Sequence, residues 1–251
     1  MFESKDKQKD DEIIKLGEAV EKLKEEINRL KREEVKPLLI ENQQLNDEVN
    51  KIKIQNEMIK MKIPRDQIFP IDIYNPDPQI IAFTSINGGM KQISNQQMRN
   101  NTISLTQVLE DGIWALEAEF QGNNTNCTGI GIVSDLIDIP AGTYPNGGPN
   151  SEHMAVLWGS GGQIYNKGNS TIGNQKFNVG QIIKVEFDSE EGTLIFFIDD
   201  IQQPVYISGI VEKVRFIVFM YHINSSWIIR SLKKLAAPTA KHIANELAVQ
   251  W

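Results

Sequence analysis

The chain is poor in the residues that do chemistry. Its 251 residues include one cysteine, Cys127, and three histidines, His153, His222 and His242. A single thiol excludes an internal disulfide. Cys127 lies in the Asn-rich stretch GNNTNCTG, with no histidine near it in sequence. No G-x-S-x-G nucleophile elbow occurs. The Gly-rich stretch WGSGGQIYNKGNSTIG lacks the G-K-[ST] of a phosphate loop, and a tight hairpin explains it. No run reaches the ~18 apolar residues of a membrane span. Positive charge is also short: the net charge is −7, which argues against nucleic acid and acidic membranes as partners. The opening MFESKDKQKDDE has no apolar signal core. Five N-x-[ST] sequons are read as chance in an Asn-rich chain. The expectation is a cytoplasmic protein in a reducing setting, with no enzymatic activity, no cofactor and no metal site.

What the chain does have is a sharp change of pattern. Residues 1–63 carry 14 basic and 15 acidic groups, net −1, and residues 64–251 carry 12 and 18, net −6. In the first segment the apolar residues Ile13, Leu16, Val20, Leu23, Ile27 and Leu30 recur at 3-4-3-4-3 spacing. This is a heptad seam, with β-branched residues at a and leucine at d. One residue is skipped near Pro37. The seam then resumes with Leu38, Asn42, Leu45, Val49, Ile52, Asn56, Ile59 and Ile63. Asparagine at a selects register and usually two strands. Two g-to-e′ pairs, Glu26 with Lys31′ and Glu48 with Lys53′, also suit a parallel dimer. Ile52 and Ile59 at d favour higher oligomers. Proline lacks an amide N–H, so Pro37 should start a second helix or kink the first. Residues 12–63 would span roughly 78 Å as one helix. The function expected of 1–63 is self-association. A single solvated helix is the plain alternative.

Pro64, Pro70, Pro76 and Pro78 mark residues 64–79 as a Pro-rich linker. From 80 to 235 short apolar alternations are separated by Gly, Asn and Asp turns. The candidate strands are QIIAFTS, TISLTQVL, IWALEAEF, TGIGIVS, HMAVLWG, GQIYNK, QIIKVEF, TLIFFID, QPVYISG, VRFIVFMY and SWIIRSL. This predicts a mainly β, antiparallel two-sheet sandwich or barrel. Residues 236–251, APTAKHIANELAVQW with its preceding alanine, read as a short C-terminal helix, because Ile243, Leu247 and Trp251 recur every four residues.

The stretch VEFDSEEGTLIFFIDD holds six carboxylates. Asp188, Glu190 and Asp199 fall at positions 1, 3 and 12 of a calcium loop, but Gly192 is at position 5 and strands flank the loop, so an EF-hand is rejected. The better reading is a hairpin. Ile183, Val185 and Phe187 share one face, and Lys184 and Glu186 the other. Asp188 and Gly192 shape the turn, Glu190 and Glu191 are solvated, and Asp199–Asp200 end a buried strand.

Several segments resemble the SPRY domain family. GIWALEAEF (Gly112–Phe120) is similar to its G-x-(aromatic)-W-E-V-E-V strand, TGIGIVSD (Thr128–Asp135) to its x-G-V-x-x-D strand, and GQIIKVEFDSEEGTLIFFID (Gly180–Asp199) to its G-D-x-V-G-x-x-L-D-x-x-x-G-x-L-x-F segment. VRFIVFMY resembles its late L-x-P-x-V strand. The agreement covers residues 100–235. The chain departs from the family in having Ala115 and Leu116 where Trp is frequent, and Asp199–Asp200 where Asn-Gly is frequent. The resemblance implies a bent, concanavalin-like sandwich that binds proteins or peptides through loops at one end. A coiled coil before such a domain is similar to tripartite-motif proteins, but the Cys/His pairs of RING and B-box zinc sites are missing, so ligase activity does not transfer.

Binding loops favour Tyr and Trp. Tyr144 in AGTYPNGGPNSE is the leading candidate, with Trp158, Tyr165, Tyr221 and Trp227 also considered. The resemblance adds Asp135, at the end of a strand bordering the family's binding surface, and places Trp158 on the strand that lines it. The expected ligand-binding set is Asp135, Tyr144, Trp158 and Tyr165. The expected function is a non-catalytic protein- or peptide-binding module oligomerised by its coiled coil. The alternative is a carbohydrate-binding, lectin-like sandwich.

Overall fold

A computed structural model describes residues 3–62 and 64–251, with side chains described for 12–55 and from 64 onward. The chain divides into two compact units, Met1–Pro64 and Arg65–Trp251. In the first, helix α1 (Glu3–Leu30) passes through a π-turn (Lys31–Val35) into helix α2 (Lys36–Lys62). The amide of Lys36 bonds back to the Lys31 carbonyl, five residues earlier. A π-turn takes in one residue more than an α-turn. It sits where the heptad count skips one residue. An uninterrupted α-helix would rotate the second half-seam by about 100° at that skip; the π-turn absorbs it. Pro37 is the second residue of α2, in the first turn after the π-turn, where a missing amide N–H is tolerated. The expected seam positions Asn56, Ile59 and Ile63 lie outside the residues whose side chains are described.

The second unit is built from sixteen strands among the described residues: β1 (Gln67–Phe69), β2 (Ile81–Ser85), β3 (Lys91–Asn95), β4 (Asn101–Ser104), β5 (Ile113–Gln121), β6 (Thr128–Ser134), β7 (Met154–Trp158), β8 (Ile164–Asn166), β9 (Asn169–Thr171), β10 (Ile182–Asp188), β11 (Thr193–Ile198), β12 (Ile201–Gln202), β13 (Val205–Ser208), β14 (Val214–Met220), β15 (Ser226–Leu235) and β16 (Leu247–Gln250). They form two sheets. The larger has the order β16-β13-β11-β10-β5-β15-β3-β2, with β1 also on β15 and β12 also on β11; the smaller runs β4-β14-β6-β7-β8-β9. Only β13 and β16 pair in parallel; every other pairing is antiparallel.

Alternation explains the layers. Inward side chains of both sheets meet in one core, whose largest fully buried members are Trp227, Phe120, Phe177, Phe187, Phe196 and Phe216. Ile183, Val185 and Phe187 point into it from β10, as the period-2 reading requires. The β10–β11 hairpin turns at Gly192, φ +64°, where a Cβ would meet the Ile210 carbonyl at 2.6 Å. Asp188 Oδ1 accepts the amides of Glu190 at 2.9 Å and Glu191 at 3.1 Å. Asp199 and Asp200, at φ 48° and 63°, make the two-residue turn from β11 to β12, the conformation for which Asn-Gly is usual.

Two expectations are corrected. The C-terminal helix does not form: Leu247–Gln250 is strand β16, laid beside β13. A spacing of four puts Leu247 and Trp251 on one face in a strand as well as in a helix, so the pattern could not separate them. The stretch 64–79 is more than a linker. β1 pairs with β15, Phe69 packs 4.7 Å from Trp114, and Ile71 is buried in the core. Four prolines exclude a helix there but not an extended edge.

Candidate functional site

The outer face of the smaller sheet carries a second apolar layer. Strand alternation sends Val133 (β6), Met154, Val156 and Trp158 (β7), and Ile217 and Phe219 (β14) to this face, and all are buried. Gly129 and Gly131 supply no side chain there, so β7 and its indole lie close over β6: a Cβ on Gly129 would be 3.4 Å from the Trp158 ring, and one on Gly131 only 1.9 Å from the Ala155 carbonyl oxygen. The chain between β6 and β7 folds over part of the layer, with Ile137, Ile139 and Tyr144 packed on it.

Polar contacts at two points fix that excursion. At its start Asp135 Oδ1 pairs with Arg215 Nε at 3.0 Å, and Arg215 also donates to Ser104 Oγ at 3.1 Å and the Ile137 carbonyl at 2.6 Å. Further along, buried Thr102 Oγ1 donates to the Thr143 carbonyl at 2.9 Å, which sets the adjacent Tyr144.

The result is an aromatic cluster. Trp158 stacks on Phe219 at 5.3 Å, with the edge of Tyr165 at 5.5 Å and that of Tyr144 at 6.0 Å; Tyr144 also meets Phe219 at 5.5 Å. Trp158 is only 6% exposed, and its Nε1 donates to the Asn126 carbonyl at 3.1 Å. It is the floor of the cluster. Tyr144 and Tyr165 are half-buried and form its open rim, with Tyr221 and Cys127 beside them. Burial pushes the Tyr144 hydroxyl up from its ordinary pKa, against a hydrogen bond with Asn146, so it remains a neutral donor and acceptor. Burial also pushes the Cys127 thiol up, away from the thiolate that nucleophilic chemistry uses.

Of the four residues expected at the site, Tyr144, Trp158 and Tyr165 come together. Asp135 does not touch the rings; it holds Arg215 and the start of the covering segment. Phe219 and Arg215 were not singled out in the sequence, although the alternation of VRFIVFMY puts both on one face. Trp227, another aromatic considered, is fully buried in the main core against Phe120 and Phe177. Among the described residues no group of three His, Cys, Asp or Glu is placed to hold a cation. Among them also, no helix is long and apolar enough to cross a membrane.

No family model and no curated protein matches the chain. The β unit is a two-sheet sandwich. Among solved structures the chain is similar to the SPRY domain of human HERC1, at 15% identity and TM-score 0.47, over 66% of this chain and 99% of that one. It is similar to the TRIM65 PSpry domain at 9% identity and TM-score 0.43, over 70% and 94%. It is also similar to the carbohydrate binding module CBM66 from Bacillus subtilis at 9% identity and TM-score 0.41, over 65% and 96%.

Proposed function

We propose that this chain is a non-catalytic binding module. The SPRY-like sandwich captures a protein or peptide on the Tyr144–Trp158–Tyr165 surface, and residues 1–63 join two copies as a parallel coiled coil. The observation that carries the binding reading is the rim itself: two tyrosines held half-open over a buried indole. A tyrosine offers large contact area with few rotamers to freeze, and a polar tip for orientation.

Two observations support self-association. The described apolar seam residues from Ile13 to Ile52 are 38–65% exposed on the single chain, which is a costly stripe to leave in water. The π-turn takes in one extra residue where the heptad count skips one, as a continuous seam requires. Joining two weak sites raises avidity by roughly 10²–10⁴ where both engage together.

The test is affinity capture with the full chain, comparing wild type with Tyr144→Ala and Tyr165→Ala at matched melting temperature. The reading expects the same protein partners to be lost from both variants. Identical partner sets for all three would remove the site. Strong binding on a glycan array, with no protein partner, would favour the lectin-like alternative.

A further inference from the structure

The segment Leu247–Trp251 lies on the sandwich in the way a peptide ligand lies on a sheet edge. It runs extended and parallel to β13, with Leu247 opposite Val205 and Gln250 opposite Ser208. Its main-chain bonds begin with the Leu247 amide on the Pro204 carbonyl at 2.8 Å and end with the Trp251 amide on the Ser208 carbonyl at 2.9 Å. Leu247, Ala248 and Gln250 are exposed; Val249 and Trp251 turn inward and pack against the core.

The last residue fits a built notch. Trp251 Nε1 donates to Glu212 Oε1 at 2.7 Å, and Lys167 Nζ stands 4.7 Å from the ring centroid. Buried Asn166 donates from Nδ2 to the Gln250 carbonyl at 2.7 Å, and its Oδ1 has no partner. Gly209 leaves room for the Gln250 side chain, because a Cβ there would lie 1.9 Å from Gln250 Nε2. Main-chain pairing supplies sequence-neutral affinity and the notch reads one side chain, which is the division of labour in β-strand addition.

The strand is not the tail's only attachment. The chain before it has its own anchor, the buried carboxylate of Glu186, which accepts the amides of Thr239 at 2.9 Å and Ala240 at 3.0 Å. Gln202 holds Lys241 through two further bonds. Without β16, β13 would be a bare edge, the form in which a sheet accepts another strand.

We propose that the β13 edge, with the Asn166–Lys167–Glu212 notch, is a strand-docking site for an extended peptide carrying Val-x-Trp, and that Leu247–Trp251 is its resident, exchangeable occupant. A peptide of this kind on a partner binds by displacing the resident strand. The proposal is argued from residues other than Tyr144, Trp158 and Tyr165 and does not rest on that rim.

The experiment uses a chain ended after Glu246 and a fluorescein-labelled peptide of residues 245–251, NELAVQW. The shortened chain binds the peptide saturably. The full chain binds it at least tenfold more weakly, because the resident strand competes. The peptide with Trp251→Ala binds neither, and Glu212→Ala in the shortened chain weakens binding at least tenfold. A shortened chain that melts as the full chain does, yet binds no peptide, overturns the proposal. Hydrogen exchange on the full chain decides the matter even if the shortened chain fails to fold. Amides of 247–251 exchange at least tenfold faster than those of β10 and β11 if the strand opens locally. Equal protection would mean that it opens only with the whole domain, and would overturn the proposal.

Discussion

Replacing Gly131 with alanine tests the packing beneath the aromatic cluster. Gly131 sits in β6, paired with Val156 on one side and Ile217 on the other. An added Cβ would lie 1.9 Å from the Ala155 carbonyl oxygen and 2.8 Å from both the Ala155 carbonyl carbon and Val156 Cα. All three are main-chain atoms, so no rotamer change relieves the clash and β7 must move away from β6. Overpacking a core costs about 1–3 kcal/mol, and obstruction by backbone puts this case near the top of that range. At roughly 2–4 °C per kcal/mol for a unit of this size, Gly131→Ala lowers the melting temperature of the sandwich by about 6–12 °C. Gly129→Ala is the control. Its nearest contacts would be 3.2 Å and 3.4 Å, which small shifts accommodate, so it costs about 1 kcal/mol or less. Differential scanning calorimetry on the full chain reads both. If Gly131→Ala melts within about 1 °C of wild type, or no lower than Gly129→Ala, the close β6–β7 approach does not exist as described.

Trp158→Ala destabilises the fold by about 3–5 kcal/mol, as a buried indole should, whereas Trp158→Phe costs much less; urea unfolding separates them. Equal small losses would show that Trp158 is a surface contact. The His242 imidazole titrates above its ordinary value, because its hydrogen bond to Glu246 at 2.8 Å favours the charged ring, with the nearby carboxylate charge adding to the effect. Glu246 is held below the usual carboxylate range by the same bond. The pair's contribution to holding the tail is therefore present between the two folded values. It fades as pH rises through the folded His242 value and as pH falls through the folded Glu246 value. An NMR titration of the ring proton shows the raised midpoint, and Glu246→Gln returns it to the ordinary range; an unmoved midpoint would refute the pairing.

Much of the sandwich is legible in the sequence because its strands are local period-2 patterns. Each of the eleven expected strand segments overlaps an observed strand. β3, KQISN, was missed because its one buried apolar residue, Ile93, is flanked by polar ones. The tail was misread for a different reason. Its partner β13 lies about forty residues away, and nothing local in ELAVQW selects a strand over a helix. Glu186 follows from the tail. It lies on the outer face, as alternation requires, yet it is buried, because Thr239 and Ala240 cross over it. The six carboxylates of VEFDSEEGTLIFFIDD accordingly divide by structure. Asp188 orders the loop, Asp199 accepts the Ile182 amide at 2.9 Å, and Glu186 anchors the tail. At the candidate site, residue type drew attention to Tyr144 and Tyr165, and the fold sets both rings against Trp158. Asp135 needed the position of Arg215, eighty residues on, before its structural role was visible.

The claim that two copies of the binding unit act together rests on the helical seam. Sedimentation equilibrium of the full chain measures it directly. The account predicts a dimer of about 57 kDa, twice the 28.4 kDa chain, that falls to the monomer mass in the Leu16→Asp/Leu23→Asp variant. A wild-type chain that sediments at the monomer mass would contradict it.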